Sequence, residues 1–363
     1  MPTISRRSFM KKAAVMGAAL TAGPTIFVPK ARAYWAKNTM IHPDVDNLRV
    51  VGVTNPSMTR SVETNIDWLR QEELVAAPLV WENMDRLACG LVETRNVEQA
   101  WKTIFVKPPR KSWSDVVVAV KTNHIAQQHT RSAVMSKVCR VLTGIVGVAP
   151  SNIHIYDACH GGDISRKTPF TGLPEGVRIE DRWGGSNTST PVPKPWQDGE
   201  SKSRCIEHLV NGSVDILVNI SMCKGHSGTF GGFTMTMKNH FGTFSPSPGH
   251  QDQALEYLLA INQTEEILGP IDRSTGKVLY PRQQLCIVDA LWASRRGPGG
   301  SPSHQPNFMA MGVTSPVVDY LVATSFRKAA MDWPVEMGPT GKFLTEFGYK
   351  AADLPNGGKI IDV

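Results

Sequence analysis

Apolar and polar positions along this chain alternate between two rhythms. Short apolar runs at 48–54, 115–120, 153–156, 216–220, 284–289 and 307–313 read as buried strands. Between them, 60–76, 79–91, 96–106, 130–146 and 252–268 carry apolar residues at helical spacing, and 205–211 reads as a short helix. Pro316 starts a further helix as its first residue, with Asp319 in the first turn, favourably placed against the helix dipole. Strands alternating with helices in this way build βαβ units. The expected fold is therefore α/β, a mostly parallel sheet with helices on both faces. One domain over 34–363, or two lobes around a central crevice, would hold it. The rhythm lapses at about 161–204, where Pro, Gly and Ser dominate. A loop of that length is either a lid over a site or a surface insertion.

The stretch 215–244 concentrates the chemistry. Its apolar strand breaks into Cys223, Lys224, Gly225 and His226, followed by Gly228, Gly231 and Gly232, then Lys238, Asn239 and His240. Open α/β sheets bind ligands just beyond the carboxyl ends of their strands. Lys224, His226 and Lys238 are therefore the candidate catalytic residues, suited to binding a small anion or cofactor, to acid–base work, or to attachment to a carbonyl. The glycines would let backbone N–H groups approach that ligand, and Asn239 would orient a lysine or a loop carbonyl. The competing reading pairs Lys224 and Lys238 with Asp289 and Asp319 as buried structural ions. A metal reading draws on Cys159, His160, Cys223 and His226, which together offer sulfur and nitrogen ligands, with Asp163 adding oxygen. No nucleophile elbow, phosphate-binding loop or dinucleotide fingerprint is present.

The amino terminus changes the charge argument. Arg6 and Arg7 precede Phe9 and Lys11, a mildly apolar segment runs to Val28, and Ala31 and Ala33 flank a small-residue cleavage site. Residues 1–33 thus read as a twin-arginine signal peptide, which places the mature protein in the periplasm and makes the twin-arginine translocase its export partner. That route passes proteins already folded, which raises the expectation of a cofactor loaded beforehand. Six of the formal +7 charges lie in this segment, which holds no acid, so the mature chain carries +1. No basic stripe remains for nucleic acid. The six cysteines are dispersed without any C-x-x-C, so an iron–sulfur cluster would lack a local motif. Cys139 and Cys286 sit in apolar runs and read as buried thiols.

Four segments, VVVAVKTN at 116–123, VNISMCKGHSGTFGGFTMTMKNHFG at 218–242, CIVDALWASRRGPGG at 286–300 and SPVVDYLVA at 315–323, together resemble the proteins grouped as domain of unknown function 362. Lys224, His226, Lys238 and Asn239 match that family's Lys-x-His and Lys-Asn signature, and Lys121, Asn123, Asp289 and Asp319 match its other recurrent polar positions. The resemblance implies that these residues bind the ligand. It carries no general reaction, so the chemistry rests on the residues. Many members hold ferredoxin motifs, which this chain lacks, and members occur near respiratory and cofactor-assembly genes. Two functions are therefore expected as alternatives. One is a redox or acid–base enzyme with a Lys/His anion or cofactor crevice. The other is a ligand-binding or assembly factor for an exported respiratory complex.

Overall fold

A computed structural model of the chain describes residues 41–157, 164, 168–181, 183 and 188–363. The expected signal at 1–33, together with Cys159, His160 and Asp163, lies outside these residues. Strand β1 (Val50–Thr54) opens the sheet, and β2 (Val118–Lys121) is followed by a tight ribbon of β3 (His124–Ile125) and β4 (Gln128–His129). Strands β5 (Ile153–Tyr156) and β6 (Arg178–Glu180) come next, then a second ribbon, β7 (Thr188–Pro191) with β8 (Lys202–Cys205). Strand β9 (Ile216–Met222) leads into a third ribbon, β10 (Lys224–Gly225) with β11 (Phe233–Thr234). The chain closes with β12 (Gln283–Ala290), β13 (Phe308–Gly312) and β14 (Ile361–Asp362).

Eight of these strands form one sheet in the order β14-β1-β13-β12-β9-β2-β5-β6. All neighbours are parallel except β13, which runs against both β1 and β12. The mostly parallel α/β sheet is thus as expected, with one reversal. Apolar periodicity locates a strand without giving its direction, so β13 could not be oriented from the sequence.

Alternation along the strands sends side chains to two cores. Ile216, Val218 and Ile220 of β9 pack with Val118, Val120, Ile153 and Ile287 against one helical layer. That layer is the Ala77–Val92 helix, whose Val80, Met84, Leu87 and Leu91 recur at helical spacing, with the Val97–Ile104 and Ser132–Val141 helices. Asn96 caps the second of these through its side chain, accepting from the Gln99 amide. On the other face Leu217, Cys286 and Val288 meet the Ala254–Ile261 and Ser315–Leu321 helices. Each fully buried aliphatic side chain contributes about 1.5–3 kcal/mol.

Several boundaries differ from expectation. The span 60–76 holds a helix only over Trp68–Leu74, and 252–268 is split by a turn at Asn262–Thr264. The excursion at 161–204 is not featureless, because β6 joins the sheet edge beside β5 and β7 pairs with β8. Strands of three or four residues are too short to show periodicity. Pro316 occupies the second rather than the first position of its helix, and Asp319 lies beyond the first turn, turned inward and buried.

Candidate functional site

The parallel strands β2, β5, β9 and β12 end together, and the segments beyond those ends build the site. After β9 the chain doubles back through β10 and β11, and a glycine turn joins the two. Gly231 and Gly232 there adopt φ of +88° and +89°, where side chains are strained. Gly225 has a different reason: a Cβ on it would lie 2.5 Å from the carbonyl oxygen of Arg295 and the Cα of Arg296. Gly225 therefore admits neighbouring backbone, and Gly231 and Gly232 serve the turn, where the sequence suggested glycines that open the way to a ligand. Beyond β11 a single 3-10 turn, Lys238–His240, sends consecutive side chains about 120° apart.

Beneath the surface these residues form a directional chain of buried side-chain amides. Lys224 Nζ donates to Asn123 Oδ1 at 2.6 Å, and Asn123 Nδ2 donates to Asn239 Oδ1 at 3.1 Å. Asn239 Nδ2 donates to Asn219 Oδ1 at 2.9 Å and to the Ile220 carbonyl at 3.1 Å. Asn219 Nδ2 passes on to Gln283 Oε1 at 3.0 Å and to the Thr236 carbonyl, and Gln283 Nε2 ends on Ser315 Oγ at 2.7 Å. Every amide is oriented the same way, so each bond polarises the next. Gln283 reaches this face because the register shifts between Gln283 and Leu285, setting it opposite Leu217. Neither Asn219 nor Gln283 is conspicuous in the sequence, since one lies inside an apolar run and the other is re-aimed by the bulge.

Lys121 joins this network from β2. Its ammonium donates to the Thr122 carbonyl at 2.7 Å, to Asp157 Oδ1 at 3.1 Å and to Asn239 Oδ1 at 3.4 Å. The Lys121–Asp157 pair is buried, with side-chain exposures of 1% and 3%. His240 Nε2 stands 2.7 Å from Gln283 Oε1 and 3.0 Å from Asn219 Nδ2, which ties the ring into the same network. Burial pushes His240 down to about 3, against the upward pull of Gln283.

Above the network lies a cavity of about 230 Å³ lined by Asn123, Asp157, His226, Thr234, Lys238, Phe241 and His250, with Pro298 and Gly299 at its edge. Lys238 rests over the rings of Phe230 and Phe241, at 4.8 and 4.2 Å from their centroids. His226 Nδ1 accepts the Ser227 backbone N–H at 2.8 Å, which assigns the proton of the neutral ring to Nε2. Burial, then Lys238, His250 and Lys224, push His226 down to about 3. His250 is lowered by burial and then by Lys238. His250 was not singled out by sequence, because nothing near it carries a motif.

The remaining expected site residues lie elsewhere. Asp289 alternates onto the opposite face of the sheet, where it accepts the Arg131 and Leu291 amides and faces the buried Arg131 guanidinium. Asp319 accepts the Thr236 and Met237 amides and the Thr236 hydroxyl. Burial raises it to about 7, against the pull of those three bonds. These carboxylates have partners other than the lysines proposed for them. Cys223 is buried in the apolar core with Arg327 Nη1 at 3.6 Å, and burial raises its thiol. His226, by contrast, lines the cavity. Among the described residues no group of three His, Cys, Asp or Glu side chains is placed to hold a metal ion. Cys139 and Cys286 are buried free thiols, both pushed up to about 12 by burial.

Fold and site together define an α/β protein whose polar residues converge beyond the carboxyl ends of parallel strands. The family model described as Domain of unknown function (DUF362) matches residues 118–324, and the chain belongs to that family. The matched span runs from β2 into the π-helical Val322–Ala330 segment that continues the Ser315–Leu321 helix, and so includes the whole amide chain. No curated protein and no solved structure matches the chain.

Two measurements check this account. Replacing Asn239 with Leu strands the amides of Asn123 and Asn219 in the interior, and chemical denaturation should show a loss of roughly 3 kcal/mol or more. A loss below about 1 kcal/mol would mean that the amide chain does not hold the site. The second concerns His240, whose depressed folded value makes its stabilisation complete above the unfolded pKa of 6.5 and lost as pH falls toward 3. Asp319, raised in the fold, acts in the opposite sense but is common to wild type and variant. Relative to His240→Gln, the wild type should therefore lose about 2 kcal/mol between pH 7 and pH 5. A pH-independent difference would show that His240 is not held neutral.

Proposed function

We propose that the protein binds a small oxyanion, a carboxylate or a phosphate, in the His226–Lys238 cavity and that His226 serves as the acid–base group toward it. The observation that carries this reading is the pairing of an ammonium and a neutral imidazole on one small cavity. Lys238 supplies charge while its desolvation is offset by two aromatic faces. His226 presents a fixed Nε2 proton as donor. Asn123, held between Lys224 and Asn239, offers a rigid polar wall. The negative charge of Asp157 is balanced by Lys121. The volume lies below the roughly 300–1,000 Å³ of drug-sized sites, so the bound group is small.

An anion in this cavity reverses the electrostatics that hold His226 neutral. Its charge raises the His226 pKa from its low value, so binding favours a second ring proton, at Nδ1 and at the expense of the Ser227 N–H bond. By linkage, affinity rises as pH falls. A substrate bearing the anion would meet the Nε2 proton as a general acid, and the same nitrogen, once deprotonated, takes the proton back. We extend the proposal to location: the paired Arg6 and Arg7 and the site at Ala33 support work in the periplasm after export.

Titration calorimetry with inorganic phosphate and with acetate, from pH 5 to pH 8, tests the binding. Wild type should bind more tightly at low pH, Lys238→Met should weaken binding roughly tenfold or more, and His226→Gln should flatten the pH dependence. No measurable binding of either anion to wild type overturns the reading. For export, changing Arg6 and Arg7 to Lys should leave an unprocessed precursor inside the cell. A variant still processed and exported would refute the twin-arginine route.

A further inference from the structure

A second recess stands on the other side of the β3–β4 ribbon. It encloses about 690 Å³, three times the anion cavity, and its walls include Trp68, Leu69, His124, Ile125 and His129. The two hollows are neighbours with a common wall, because Ile125 lines both. Chain order gives the same result: Asn123 faces the small cavity and His124 the recess.

The recess differs in chemistry from its neighbour. His124 and His129, opposite one another in the ribbon, stack with centroids 3.8 Å apart and planes 17° apart. Trp68 adds a third ring, 5.6 Å from His129. His129 stays neutral, pushed down to about 2 by burial and then by the positive groups around it. Asp67 also borders the recess, with its carboxylate capping the Trp68–Leu74 helix at the Arg70 amide. A second negative charge would be repelled there, whereas a flat uncharged group would meet aromatic faces. Trp68 is 3% exposed, and its indole Nε1 has no hydrogen-bond partner among the described residues. Buried indole N–H groups ordinarily find an acceptor.

Resting on the oxyanion reading of the smaller cavity, we infer that the ligand is a two-part molecule, an oxyanion head in the His226–Lys238 cavity joined past Ile125 to a planar apolar body in the Trp68 recess. The ribbon that divides the hollows is fixed on both sides. Gln127 Oε1 accepts the Trp68 amide, Gln127 N donates to the Gly300 carbonyl, and Gln128 Nε2 donates to the Gly299 carbonyl. Ile125 is thus a placed divider, and the body must pass beside it.

Paired probes differing only by a ring test this. On wild type, calorimetry compares inorganic phosphate with phenyl phosphate and propanoate with 3-phenylpropanoate. Each ring-bearing probe should bind at least about tenfold more tightly than its partner. Trp68→Ala should remove that advantage while leaving inorganic phosphate affinity unchanged. Because Trp68 is buried, Leu69→Ser gives a second arm on a residue that is 61% exposed, and it should reduce the advantage severalfold with the fold intact. Equal binding of ringed and ringless probes overturns the two-part ligand and leaves the oxyanion site standing. An advantage that survives both substitutions also overturns it, since the ring would then sit elsewhere. If neither phosphate nor propanoate binds at all, the oxyanion reading falls and this inference with it.

Discussion

The structure depends on one constraint: polar side chains placed inside a parallel sheet must satisfy one another, because no water reaches them. Asn219 lies in the middle of β9, with the apolar Val218 and Ile220 on either side. A lone amide there would cost more than most single contacts return. Its partners are drawn from three other parts of the chain, namely Asn239 from the turn after β11, Gln283 from β12 and Thr236 from the intervening segment. Satisfying Asn219 therefore fixes where the Lys238–His240 turn sits against the sheet. With Asn239 committed inward, the turn leaves Lys238 against the rings of Phe230 and Phe241 at the cavity. The place of the turn, and with it that of the ammonium, thus follows from the buried bonds of Asn239.

This dependence explains what was readable in the sequence. Strand ends announce themselves, since an apolar run that stops in Lys224 and His226 or in Lys121 and Asn123 marks the rim of a parallel sheet. The fold class and the convergence of Lys224, His226, Lys238, Asn123 and Asn239 were legible for that reason. Asp289 obeyed the same rule and still faces away, because near a strand end the side of the sheet matters as much as the position along it. Its parity with Leu285 and Ile287 directs it to the Arg131 side. Asn219 and Gln283 were illegible for the opposite reason. One polar residue in an apolar run looks like noise, and a bulge inverts the parity that would have placed Gln283. His250 ends a four-residue 3-10 helix and Ile125 a two-residue strand, elements too short for periodicity to be read.

The charges near the site differ in where they lie. Lys121 is matched by Asp157 in a dry pair, and Asp289 faces Arg131, so these groups serve the interior. Lys238 stands at the cavity among aromatic faces and neutral histidines. Glycine gives a similar contrast. Gly225, next to the key lysine, is required because the backbone of the Arg295–Arg296 loop crosses there. The close approach thus fastens one wall of the cavity to the strand that carries Lys224.

The reversal of β13 bears on how such a site diversifies. Because β13 runs against β12, the connection between them returns at the same edge of the sheet instead of crossing to the far side under a helix. That connection, 291–307, brings Pro298 and Gly299 to the cavity and is tied down at its root by Ser294 and Arg327. A parallel crossover has its length set by the helix it must carry. A reversing loop has no such obligation. Insertions or deletions between Gly297 and Ser301 would leave the strand register untouched while reshaping the entrance, at the expense of the Gly299 and Gly300 carbonyl bonds to the β3–β4 ribbon. A lineage could therefore exchange one ligand for another at this mouth without renegotiating the interior that holds its lysines.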